Sequence, residues 1–407
     1  MKKNLIRLVS AVLAGSVCMG LSACGEPGNG GGDTEKSGIK VGLICLHDEN
    51  STYDLNFLNA MDEAKKQLGL SDDQVIIKKN IPESNDCKEA AADLADRGCN
   101  IIFADSFGHE PYLLEAAESN PDVQFCHATG TMAHTEKKAN FHNAFASIYQ
   151  GRYLAGIAAG LKLNEMIDDG KIKPEEAVMG YVGAYTYAEV ISGYTSFYLG
   201  AKSVCPSTTM KVQFTGSWYD ETAEKEAATT LLSKDCVLIS QHADSMGAPT
   251  ACENAGVPNV SYNGSTKDAC PNTFIVSSRI DWAPYYVYAI QCVLDGKDIG
   301  YDWTGDLAAG SVKLTEVNEQ AAAPGTQAAI DEAAAKLKSG EIHVFDTANF
   351  TVGGKVLESY LADVDTDPEY QPDTEAIKDG YFHESEFRSA PYFDVQIDGI
   401  EQLNTMF

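Results

Sequence analysis

"GLICLHDENSTYD", Gly42–Asp54, decides how the rest of the chain is read. An apolar run from Val41 to Leu46 stops at His47, and a polar cluster follows without a break through Asp54. Ser51 and Asp54 have the spacing of a capping box, in which a hydroxyl and a carboxylate satisfy free N–H groups at a helix start. The stretch therefore reads as a strand, a short polar loop and a helix. In an open α/β sheet such a loop lies beyond the carboxyl end of the strand, where ligands bind. Three acids, a histidine and a tyrosine in eight residues also fit a catalytic or metal-binding loop.

Working outward, the same rhythm repeats. Short apolar runs at Ile39–Leu46, Val75–Ile81, Asn100–Asp105 and Val123–Thr129 read as strands. Between them, three-to-four spacing predicts helices over Leu55–Leu68, Cys87–Asp96 and Pro111–Ser119. After Asn143–Ser147 a long helix is expected from Tyr149 to Leu163, with small residues for close packing. The alternation then restarts, with strands at Ala177–Ala184, Met210–Ser217, Cys236–Ser240, Val257–Asn263 and Thr273–Arg279. Helices are expected over Glu189–Lys202, Glu221–Ser233, Gly247–Ala255 and Ala283–Leu294. A further segment, Gly310–Glu316, and a helix over Gly325–Lys338 follow. Two successive βαβ units with parallel sheets result. The tail from Phe350 is acidic and aromatic, too aromatic for a disordered segment, and its last strand is expected over Tyr392–Ile400.

The start of the chain is not part of this fold. Lys2, Lys3 and Arg7 precede an apolar stretch, Leu8–Gly20, and then "LSAC" at Leu21–Cys24. Residues 1–23 read as a secretory signal, too short for a membrane-spanning helix. A small-residue site ending in Cys resembles a bacterial lipobox, which implies lipidation of Cys24. The Gly-rich run over residues 24–38 then reads as a flexible tether. The protein is thus expected outside the cell, held on the outer face of the cytoplasmic membrane by its lipid alone.

The 407 residues carry a formal net charge of −29, which disfavours nucleic acid as a partner. Of the 11 cysteines, nine lie beyond Cys24, and none forms a C-x-x-C pair. Zinc ribbons and thioredoxin-like motifs are therefore not indicated. Cys45, Cys99, Cys236 and Cys292 sit in or beside apolar runs and read as buried hydrophobes, with a bridge or two left open. No G-x-S-x-G, Walker A or H-E-x-x-H occurs. His47, His109, His127 and His242 lie near strand ends without tight ligand spacing. Asp363–Glu375 copies the first ligand positions of a calcium loop but has Pro368 where the glycine is needed.

The candidate site residues are those that follow strands. These are Asp48, Asn50 and Tyr53; Asp105, Ser106 and Phe107; Thr129; Gly216, Ser217 and Trp218; His242, Ala243 and Asp244; Asn263; and Arg279, Asp281 and Trp282. The set is polar and aromatic with few cations. It suits a neutral, flat, hydroxylated ligand stacked on rings and held by hydrogen bonds.

Several segments resemble the basic membrane protein family of ABC-importer binding lipoproteins, which includes purine-nucleoside receptors. They are "PDVQF" (Pro121–Phe125), "GRYLAGIAAGL" (Gly151–Leu161), "MGYVGA" (Met179–Ala184), "GSWYDETAEKEAA" (Gly216–Ala228) and "LKSGEIHVF" (Leu337–Phe345). The resemblance implies a type I periplasmic-binding-protein fold, an α/β architecture of two Rossmann-like lobes joined by a three-segment hinge. The lobes would be residues 39–147 with 279–308, and 148–278 with 309–407. It implies no enzymatic activity and no cofactor or metal. The partners would be a small nucleoside-like ligand, an ABC permease and its ATPase, with the protein itself a monomer. By position, Trp218 matches a ring that stacks on the nucleobase, and Tyr53 matches its first-lobe counterpart. Asp48 and Asp54 match polar first-loop positions, and Gly247 matches a glycine after the next strand. Thr129 and Asn263 stand where the family has Asp, and Arg279 stands near a family Lys. The alternative is a surface sensor or adhesin that keeps this fold and binds a protein through the acidic aromatic tail. An extracellular hydrolase using the opening acids is a third reading.

Overall fold

The computed structural model describes residues 38–364, 369 and 371–407. The expected signal segment, Cys24 and the tether up to residue 37 lie outside the described residues, as do 365–368 and Tyr370.

The first sheet is built from β1 (Val41–Ile44), β2 (Val75–Lys78), β3 (Ile101–Ala104), β4 (Gln124–Ala128) and β5 (Phe141–Ala146). They alternate with α1 (Thr52–Leu68), α2 (Asn85–Asp96), α3 (Glu110–Ser119) and the single-turn α4 (Ala133–Glu136). The chain then crosses into α5 (Ile148–Asp168) and a second series. It comprises β6 (Val178–Gly183), α6 (Ala188–Val204), β7 (Thr209–Phe214), α7 (Glu221–Ser233), β8 (Leu238–His242), α8 (Gly247–Ala255), β9 (Asn259–Tyr262) and β10 (Phe274–Ile280). It returns through α9 (Ala283–Asp295) and β11 (Asp302–Gly305), and crosses a third time to β12 (Val312–Leu314) and α10 (Thr326–Ser339).

The strand orders are β11-β5-β4-β3-β1-β2 and β12-β10-β9-β8-β6-β7, and the tail adds one strand beyond β7. All pairings within the two sheets are parallel except β10 with β12. Strands β1 and β3 are buried at every position, because helices cover both faces of a parallel sheet. That burial is why they read as unbroken apolar runs. The three passages between sheets, after β5, β10 and β11, give a type I periplasmic-binding-protein fold.

Helices α5 and α6 pack at the closest range in the second sheet's cover. A Cβ at Gly156 would lie 2.0 Å from the Phe197 carbonyl oxygen, and one at Gly200 would lie 2.0 Å from that of Tyr153. The small residues of the long helix are therefore a contact face, as expected.

The expected strand at Tyr392–Ile400 is not one. Phe393, Val395 and Ile397 are buried while Asp394, Gln396 and Asp398 are exposed, so the alternation is real. It records a one-sided burial against the body without a neighbouring strand to pair with. The tail instead forms the small ladders β13 (Leu361–Ala362) with β14 (Thr374–Glu375) and β15 (Ile377–Lys378) with β16 (Tyr381–Phe382). It ends in β17 (Ile400–Gln402), which adds to β7. The tail also reaches the first sheet. Ser389 N donates to Asp302, and Thr304 Oγ1 donates to the Ser385 carbonyl at 3.4 Å. Its rings face inward: Phe345 stacks on Phe393 at 4.2 Å, and Phe382 and Tyr392 are buried.

All nine cysteines among the described residues are free and buried. No helix among them is long and apolar enough to cross a membrane.

Candidate functional site

The loop after β1 is closed by its own side chains. Ser51 Oγ accepts from Asp54 N at 3.2 Å and donates to Asp54 Oδ2 at 2.6 Å. The other half of the capping box is redirected. Asp54 Oδ1 accepts from His47 N at 2.8 Å, while Ser51 N finds the Asp48 carbonyl at 3.1 Å. Burial pushes the Asp54 carboxyl upward, but the hydrogen bonds from His47 and Ser51 outweigh it and hold it below its ordinary range. Beneath it, Asp105 is fully buried; burial first, then the charge of Asp54, pushes its carboxyl well up. The two neighbouring acids are therefore pushed in opposite directions, Asp54 down and Asp105 up.

The other first-lobe residues also follow strands. Tyr53 Oη donates to the Asp105 carbonyl at 2.7 Å, which fixes its ring on the floor. Glu83 accepts from Ser106 Oγ and Gly108 N at 2.5 and 2.7 Å, and so holds the loop that presents Phe107. Phe107 is 39% exposed and faces Tyr187 of the second lobe at 5.6 Å. Thr129, one residue past β4, has φ +70°, and its buried hydroxyl has no partner.

The second lobe supplies the facing wall. Glu189 lies in the first turn of α6, and Trp218 follows β7 with its ring edge on Tyr185 at 5.2 Å. His242 and Asp244 come from the end of β8, and Tyr262 and Asn263 from the end of β9. Asn263 Nδ2 donates to Asp244 Oδ1 at 2.8 Å. Burial pushes the Asp244 carboxyl well up despite that bond. The lobes touch directly. Thr52 N and Oγ1 donate to the Asp244 carbonyl at 3.3 and 3.1 Å, and Asn56 Nδ2 donates to that of Asn263 at 2.9 Å.

Between these walls lies a narrow cleft of about 20 Å³, room for little more than one water molecule. That is far smaller than an open small-molecule site. A ring-sized ligand enters only when the lobes part or when Phe107 and Trp218 turn.

Of the sequence candidates, Tyr53, Asp54, Ser106, Phe107, Thr129, Trp218, His242, Asp244 and Asn263 line this cleft. Asp48 and Asn50 do not: Asp48 Oδ1 accepts from Asn50 N and Nδ2 at 3.0 and 2.8 Å, and the pair sits outside the lining. Gly247 starts α8 against α7, where a Cβ would lie 2.3 Å from the Glu221 carbonyl; it is a packing glycine. Arg279 and Asp281 lie on the second crossover, lining a separate groove with α1. There Asp281 pairs with Lys313 at 2.6 Å and caps α9 through Ala283 N. The end of β10 is the hinge itself, so residues after it leave the cleft.

Sequence reading missed Leu46, His47, Glu189 and Tyr262 as lining residues. Tyr262 ends a strand, and the rule of looking past strand ends overshot it by one position, to Asn263. Glu189 follows a loop and carried no signal beyond an acid at a helix start.

One group among the described residues has metal-ligand spacing: Cys45, Asp54 and Asp105, with donor atoms within 4.8 Å of one another. Burial pushes the Cys45 thiol and the Asp105 carboxyl well up, which works against their deprotonation. That donor set does not fit a cation, which needs deprotonated ligands.

A cleft between two parallel-sheet lobes, walled by strand-end loops from both, defines a two-lobed solute-binding protein. The chain matches the family model described as "ABC transporter substrate-binding protein PnrA-like" over residues 42–347, and it belongs to that family. It is a binding protein, not an enzyme; its partners as such are a small-molecule ligand and an ABC permease. A purine-binding protein of Brucella abortus (strain 2308) is 29% identical over 320 residues, 78% of this chain and 85% of that protein. A Haloferax volcanii protein provisionally named an ABC transporter glucose-binding protein is 27% identical over 316 residues, 75% and 76% of the two chains. A solved ABC transporter system solute-binding protein from Conexibacter woesei DSM 14684 superposes with a TM-score of 0.60 at 22% identity. That match covers 75% of this chain and 98% of the other, and it shows the fold.

Proposed function

We propose that the protein is a lipid-anchored receptor that captures a nucleoside in the cleft and delivers it to an ABC permease and its ATPase. The observation that carries the ligand class is the lining. It holds the carboxyls Asp54, Glu189 and Asp244 and the rings of Tyr53, Phe107, Trp218 and Tyr262, but no Lys or Arg. Such a surface stacks on a flat ring and accepts its N–H and O–H donors, and it repels phosphate. The purine-binding relative supports the same class.

In this reading Phe107 and Trp218 close on the ring from opposite lobes, with Tyr53 on the floor. The orphaned Thr129 hydroxyl meets a polar ligand group. Asn263 and Asp244 act together on a hydroxyl pair. The lobe boundaries, residues 39–147 with 279–308 against 148–278 with 309–407, place the rotation at the three crossovers. Closure removes water and strengthens each hydrogen bond. The protein acts as a monomer, tethered through Cys24.

The test is a calorimetric screen of ligand-stripped protein against nucleosides, nucleobases, hexoses and amino acids. Micromolar or tighter binding of a purine nucleoside is expected. Binding only of a hexose or an amino acid would replace the nucleoside reading.

A further inference from the structure

The second lobe buries one guanidinium without a carboxylate. Arg152, on the first turns of α5, is 0% exposed and makes no ion pair among the described residues. Its Nη2 donates to Tyr181 Oη at 3.1 Å and to Ser240 Oγ at 2.7 Å. Its Nη1 donates to the Ser261 carbonyl and Ser278 Oγ at 3.2 and 3.3 Å. The rings of Tyr181, Phe197 and Tyr262 surround it, with centroids 4.9 to 5.4 Å from Cζ. One side chain thus ties β6, β8, β9 and β10 to the helix that leaves the first hinge crossover. Burying a charge this way is costly unless the arrangement does something that an apolar residue would not.

The hydrogen bonds continue from it to the cleft. Tyr181 Oη, accepting from Arg152, has its own proton free for His242 Nδ1 at 3.5 Å. His242 Nε2 then faces Glu189 Oε1 at 3.4 Å, and both His242 and Glu189 line the cleft. Both links are at the long end of hydrogen-bond range. One set of directions satisfies both ends, because a guanidinium only donates and a carboxylate only accepts. A donor at Tyr181 makes Nδ1 the acceptor and leaves the proton on Nε2, aimed at Glu189. Burial lowers the His242 pKa, consistent with a neutral ring of fixed tautomer. The packing protects the same geometry. Gly193 stands one turn after Glu189 on α6, and a Cβ there would lie 2.5 Å from His242 Nδ1.

We infer that Arg152, Tyr181 and His242 are positioning residues that hold Glu189 as a hydrogen-bond acceptor in the cleft, so that Glu189 selects ligands presenting an N–H or O–H donor at that wall. The inference rests on the receptor reading for its ligand, but the relay can be read without one. It also links the hinge helix to ligand contact, since Arg152 and the first crossover are one turn apart.

The test uses the full chain and the variant Tyr181→Phe, which keeps the ring around Arg152 and removes only the hydroxyl. Nitrogen-15 NMR of the histidine rings is expected to show a single Nε2–H tautomer for His242 in the wild type and a mixture in Tyr181→Phe. Affinity for adenosine should fall about tenfold, with a melting temperature within a few degrees of wild type. Glu189→Gln should weaken adenosine at least as much, and the double variant should be no weaker than Glu189→Gln alone. An Nδ1–H tautomer in the wild type overturns the relay, as does a Tyr181→Phe protein with unchanged tautomer and affinity. Additive losses in the double variant overturn the link to Glu189. A wild type that shows the expected tautomer but binds no adenosine overturns the nucleoside as the ligand of Glu189 and leaves the relay standing.

Discussion

Two residues at matching places in the two lobes show how the cleft is made. Thr129 follows β4 and Asn263 follows β9, and both have positive φ, +70° and +63°. Asn tolerates this region, but a β-branched residue there is strained by about 1 to 3 kcal/mol. The strain aims a buried, unpartnered hydroxyl at the cleft. Thr129→Gly should therefore raise the unfolding free energy by a net of about 1 kcal/mol, since the glycine's own entropic cost is about 0.5 to 1 kcal/mol. The same change should weaken the ligand. A denaturant midpoint and a titration on one preparation check both; a loss of stability would show that the backbone is not strained. Thr129, Phe107, Trp218 and Asp244 were legible because each lies within four residues after a strand, and chain order alone places such residues. Glu189 was not legible, because it enters the cleft from the first turn of a helix after a loop, where an acid is also an ordinary helix-start residue.

At the level of elements, helices were easier to read than short strands. Helix α7 and α8 fall where the spacing predicts them, and most other helices gain only a residue or a turn at an end. Strand β11 is four residues long and half-exposed at the edge of its sheet, and so does not announce itself, whereas the six-residue β5 shows only part of its length in the Asn143–Ser147 run. The Tyr392–Ile397 segment shows the converse, a strand-like alternation produced by burial without pairing. The α5–α6 contact gives a measurable consequence. Gly156→Ala gains about 1 kcal/mol of helix propensity. Its methyl would nonetheless meet the Phe197 carbonyl, a backbone atom that cannot yield without moving α6. Overpacking of this kind costs about 1 to 3 kcal/mol, so a net destabilisation of about 1 kcal/mol is expected by chemical denaturation. A stabilised variant would mean the two helices part easily.

For the whole molecule, charge and connectivity point to one kind of binding event. The chain is strongly acidic, the cleft has no cationic lining residue, and the lobes meet through Thr52, Asn56, Asp244 and Asn263. The tail adds a strand to the second sheet and hydrogen bonds to β11 of the first, so it spans the body that must rotate. Its rings are packed inward, which leaves few of them for a partner protein and weighs against the adhesin reading. The most direct measurement is a paired calorimetric titration of ligand-stripped protein with adenosine and with adenosine 5′-monophosphate. The expected result is micromolar or tighter binding of the nucleoside and at least a hundredfold weaker binding of the monophosphate, because its dianion would enter a cleft walled by carboxyls. Equal or tighter binding of the monophosphate would contradict the account.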